Sequence, residues 1–94
     1  MQKVCYQIAT RDGFESGTRN GYIYEVTASS GQVVPFVLTQ IYGEWFGDHL
    51  PTGYAIQNLR AKTRKALIEK IDKHGVSLAD KALETSAGIP VLNG

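Results

Sequence analysis

Residues 56–74, IQNLRAKTRKALIEKIDKH, hold six of the ten basic residues in the chain and its clearest helical periodicity. At 100° per residue, Ile56, Leu59, Thr63, Ala66, Leu67 and Ile71 fall in one stripe, as in a helix laid against a core. Lys73 and His74 sit where cations favour the carbonyl end of a helix dipole, and Gly75 can take the left-handed conformation just beyond. The spacing therefore predicts a long amphipathic helix from about Ala55 to His74. Ser77-Leu78-Ala79-Asp80 has the form of a second helix start, which predicts a short helix over 78–86 that Gly88 and Pro90 stop.

The residues before this stretch alternate with period two. Val4, Tyr6 and Ile8 oppose Cys5, Gln7 and Ala9, a pattern that predicts a first strand over 3–10. Tyr22, Tyr24 and Val26 against Ile23, Glu25 and Thr27 give a second, rich in residues that fit a pleated surface. Ser29-Ser30-Gly31 is short enough to join it as a hairpin to a third strand over 33–42. Pro35 has no amide hydrogen for a ladder, which places that strand at a sheet edge or gives it a bulge. Its buried face stays open, because Val33, Val37 and Ile41 compete with Val34, Phe36 and Leu38. The segments 11–20 and 43–53, with their Asp-Gly, Ser-Gly and Asn-Gly pairs and scattered glycines, read as loops, the second carrying Trp45 and Phe46.

The expected fold is α+β: a three-stranded antiparallel sheet packed by one long helix, plus a short C-terminal helix. Ninety-four residues make one domain spanning 1–94, with residues from 86 onward adding a strand or fraying. The single cysteine, Cys5, forms no intramolecular disulfide and suits a reducing compartment. No stretch approaches the roughly 20 apolar residues that span a bilayer. These features lead us to expect a cytoplasmic protein away from membranes.

The local charge of the basic stretch is +4, six cations against Glu69 and Asp72, yet the whole chain is only +1. That balance is far from a non-specific nucleic-acid binder. Glu69 lies four residues from Lys65 and from Lys73, the spacing of helix-surface ion pairs. Arg60, Arg64 and Ile68 form a separate row, and neither arginine has an acidic residue three or four places away. Arginine beside an exposed apolar residue is the composition of an interface edge, and Trp45 and Phe46 supply candidate aromatic anchors.

Catalytic and metal signatures are sparse. Asp48 and His49 are neighbours, Cys5 would have to be brought to them by the fold, and no nucleophile motif surrounds it. His49 and His74 are too far apart in sequence, with one cysteine, for a structural zinc site, and no phosphate-binding glycine loop is present. The sequence thus points to a small non-catalytic binding protein, a regulator or inhibitor without cofactor or metal. Arg60, Arg64, Ile68, Trp45 and Phe46 would dock it on another macromolecule, a protein in preference to nucleic acid. The alternatives are nucleic-acid binding through the basic stretch or the face bearing Tyr22 and Tyr24, and less favourably an enzyme using Asp48, His49 and Cys5. An exposed edge strand would also permit a homodimer.

Overall fold

The computed structural model describes residues 1–9 and 15–94, with the backbone alone at 15 and 16. Five strands precede one helix: β1 (Lys3–Ala9), β2 (Glu15–Thr27), β3 (Val33–Ile41), β4 (Glu44–His49), β5 (Ala55–Ala61) and α1 (Arg64–Ser86). The strands pair antiparallel in the order β1-β2-β3-β4-β5. The protein is α+β, but the three-stranded sheet with two helices is corrected at several points, each with a local cause.

The first correction is β5, which takes up the front of the predicted helix. Ile56, Leu59 and Ala61 all pack toward the helix side, although strict alternation would put Ile56 opposite the other two. Asn58 has φ 63, and the step from Phe46 to Asp48 on β4 is matched by the longer step from Arg60 back to Ala55 on β5. This bulge turns a two-residue repeat into a three-residue one, so a strand imitates helical spacing. The helix begins only after Thr63, whose hydroxyl accepts from the Ala66 amide as an N-cap.

The predicted aromatic loop is mostly β4. Tyr42 (φ 49) and Gly43 (φ 81) form the two-residue turn of a tight hairpin with positive φ at both positions. Gly47 is not a breaker: a Cβ there would lie 2.4 Å from Leu59 Cδ2. At Asn20-Gly21 the chain runs straight along β2, where a Cβ on Gly21 would lie 2.6 Å from the Leu38 carbonyl oxygen. Of the predicted loop over 11–20, residues 15–20 belong instead to β2, and residues 11–14 lie outside the described residues.

The two predicted helices are one, kinked at His74 (φ −119, ψ 16), where the capping signals had suggested a stop. Gly75 there approaches Val26 closely, its Cβ position 3.3 Å from Val26 Cγ1. The kink keeps both halves of α1 on the twisted sheet: Leu67 and Ile71 before it and Ala79 and Ala82 after it are all buried. Across from them lie Val26, Val34, Phe36, Leu38 and Leu59. Tyr24 donates to Asp72, and the Ser29 amide donates to Asp80 Oδ1 at 2.9 Å, one anchor on each side of the kink.

β3 is the central strand and not an edge. Pro35 is tolerated because it lies one residue past the last β3–β4 pair, Phe36 with His49, and its carbonyl still accepts from the Leu50 amide. Its missing donor would have served the Leu50 carbonyl, which takes a hydrogen bond from Asn93 Nδ2 at 2.8 Å.

The sheet rolls until the outer edge of β1 meets the β4–β5 connection. The Ala9 amide donates to the Gly53 carbonyl at 3.1 Å. The Asn93 side chain completes the seam, accepting from the Gln7 amide at 2.8 Å and donating to the Gln7 carbonyl at 2.9 Å. Gly53 (φ 73) must be glycine, since a Cβ would fall 2.2 Å from the Gln7 oxygen. The roll encloses a second core on the face away from the helix, built on Tyr6, Val37 and Leu50 with Val4, Ile8 and Ile23 against them. Both faces of β3 are therefore buried. We predict that Asn93→Ala lowers unfolding free energy by about 2 kcal/mol, through three lost hydrogen bonds, two of which leave carbonyls unpaired. Asn93→Asp, similar in shape but without the donors, is expected to cost at least as much in urea denaturation.

Candidate functional site

The first half of α1 covers only part of its face of the sheet, and the part toward β1 is left as an open groove of about 820 Å³. Alternation along β2 and β4 sends Tyr22 and Trp45 into it, with ring centroids 6.2 Å apart. Arg64, the first helical residue, lays its guanidinium over both rings, 4.9 Å from the Tyr22 centroid and 5.8 Å from that of Trp45. Lys3 on β1 brings its ammonium 6.0 Å from the Tyr22 ring centroid. Asn20, Gln40 and Cys5 add polar lining, and among the described residues no carboxylate lines the groove. Arginine stacked on two rings is held in place without being neutralised.

The structure redistributes the residues selected from sequence. Trp45 and Arg64 meet in this groove. Phe46 and Arg60 pair across β4 and β5, and their register puts both on the opposite face. Ile68 is half-buried against the main core. The row of Arg60, Arg64 and Ile68 never forms, because Arg60 belongs to a strand and the other two to the helix. The expected pairs of Glu69 with Lys65 and Lys73 do not reach ion-pair distance; the ion pair among the described residues is Arg19 with Asp48. Lys70 instead caps the edge of β5, donating to the Arg60 carbonyl at 2.9 Å.

Tyr22 and Lys3 were not selected from sequence as site residues together with Arg64. Tyr22 had been noted on an aromatic strand face, but only the pairing of Lys3 with Tyr22 and of Gln40 with Trp45 shows that four strands present these side chains on one surface.

Asp48, His49 and Cys5 are separated. Adjacent on β4, Asp48 and His49 point to opposite faces, while Cys5 lines the groove. His49 Nδ1 is 2.8 Å from Thr52 Oγ1, and burial pushes its pKa down, so the imidazole stays neutral. Asp48 is enclosed in the second core, accepting from the Tyr6 hydroxyl at 2.5 Å with Arg19 3.6 Å away. Its Oδ1 has no hydrogen-bond partner among the described residues. Burial raises the Asp48 pKa against the opposing effects of Tyr6 and Arg19, and it raises that of Tyr6 together with the nearby carboxylate.

Among the described residues no cluster of three or more His, Cys, Asp or Glu side chains is arranged to hold a metal ion, and no helix is long and apolar enough to cross a membrane. Set against known protein families, curated proteins and solved structures, the chain matches none.

The raised pKa of Asp48 sets a pH dependence. A carboxyl whose native pKa lies above its ordinary 3.8 binds more protons folded than unfolded. Its contribution to stability is thus fully present below that value and is lost as pH rises through the native pKa. We predict that the stability of the wild type relative to Asp48→Asn improves as pH falls from 7 toward 4, measured by urea denaturation at each pH; a difference independent of pH would contradict the raised pKa.

Proposed function

We propose that this protein is a non-catalytic binding module that docks on another protein through the groove of Tyr22, Trp45, Arg64 and Lys3. The observation that carries the reading is the stacking of Arg64 on Tyr22 and Trp45 in an open groove lined by no carboxylate among the described residues. Tyrosine, tryptophan and arginine are the residues that dominate binding energy at protein interfaces. The two cations call for acidic side chains on the partner, which would also steer its approach. Arg60 and Phe46, on the far face, lie outside this contact.

A second reading has one specific support: aromatic rings on a sheet face flanked by cations also stack unpaired bases. The modest net charge of +1 favours the protein partner.

The chain has one tryptophan and one cysteine, and both line the groove, so occupancy can be read directly. Capture of a protein from host lysate should persist after nuclease treatment. The purified partner should change Trp45 emission and slow alkylation of Cys5. Arg64→Glu and Lys3→Glu should each weaken binding by about 2 kcal/mol or more, roughly thirtyfold, while Arg60→Glu on the opposite face changes it little. Capture abolished by nuclease, with Trp45 emission quenched by a single-stranded oligonucleotide, would replace the protein reading with the nucleic-acid one. Binding indifferent to Arg64→Glu in a folded variant would remove both.

A further inference from the structure

We propose that the pocket between β5 and the second half of α1 binds a small monocarboxylate with an apolar tail, independently of the groove. The pocket encloses about 430 Å³, within the range of small-molecule sites. Ile56, Leu78, Ala82 and Ile89 supply the apolar wall, while His49 and Thr52 form a buried polar part of the lining. Lys81 is exposed beside them, and its ammonium has no carboxylate within ion-pair distance among the described residues. Among the described residues no acidic side chain lines the pocket.

These features select a ligand by its chemistry. An apolar chain or ring gains by leaving water for the Ile56–Leu78–Ala82–Ile89 wall. A single anionic head suits Lys81 and avoids burying a second charge. His49 adds direction to the polar side. The Thr52 hydroxyl accepts from the Tyr54 amide at 3.4 Å, which leaves its own hydrogen for His49 Nδ1. With Thr52 donating to Nδ1, the imidazole proton sits on Nε2, and the neutral ring is then a donor suited to an acceptor oxygen. The kink at His74 matters here, because Leu78, Lys81 and Ala82 all belong to the helical segment beyond it.

Octanoate and 1-octanol share a tail and differ in the head, so together they test the proposal on the full chain. Octanoate should bind saturably, raise the melting temperature more than octanol, and shift the methyl NMR signals of Ile56, Leu78 and Ile89. Lys81→Gln should weaken octanoate about tenfold and leave octanol unchanged, the loss expected for a hydrogen bond to a charged group. Ala82→Leu should exclude both by filling the pocket; Lys81→Gln, at an exposed position, keeps the test decisive if that variant does not fold. Absence of saturable octanoate binding overturns the proposal. So does octanoate affinity unchanged by Lys81→Gln, or shifts that fall on Tyr22 and Trp45 and vanish with Arg64→Glu. Because the groove variants leave this pocket intact, failure here leaves the docking reading standing, and the reverse also holds.

Discussion

The seam between β1 and the β4–β5 connection governs the rest of the structure. Three backbone groups of β1, the Ala9 amide and both polar groups of Gln7, find partners in Gly53 and Asn93. Without them the outer edge of β1 would be open and the second core around Tyr6, Val37 and Leu50 would face water. With them, a sheet of only five strands buries side chains on both faces, the helix covering one and the roll of the sheet covering the other. The open edge expected of the third strand is moved elsewhere: β1 is covered by the seam, and Lys70 caps a carbonyl of β5.

Enclosure on the second face has an electrostatic cost, since Asp48 is buried with one oxygen that has no hydrogen-bond partner among the described residues. Tyr6 and Arg19 offset part of it. A buried carboxylate of this kind fixes the register of β1 on β2 more strictly than an apolar residue would, because a shift by one residue would move Tyr6 to the other face and strand the charge. The same alternation separates Asp48 from His49, so what looked like an orienting pair in sequence serves two unrelated environments.

The groove and the pocket both follow from how the helix meets the sheet. Its late start at Arg64 leaves the β1 side of the sheet uncovered and sets a guanidinium at the margin, over the rings of Tyr22 and Trp45. Its kink at His74 sends the second half past the beginning of β5, where the two surfaces diverge enough to leave a cavity. Had the helix begun at Ile56, as periodicity suggested, neither opening would have this shape.

Period-two alternation by itself pointed to strands over 3–10, 22–28 and 33–42, close to β1, the second half of β2 and β3, because a side chain in a strand can face only one of two sides. The hairpin at Ser29-Ser30-Gly31 followed from its length. Trp45 and Arg64 stood out from residue type, and the structure brings them together in one groove. Tertiary structure alone decided the rest. A bulge at Asn58 gave β5 a helical spacing, and close approach at Gly21 and Gly47 made glycine a strand residue where it read as a breaker. Both are effects of neighbours distant in sequence. The ambiguity over the faces of β3 had the same origin: a central strand covered on both sides has no solvent face for its pattern to reveal.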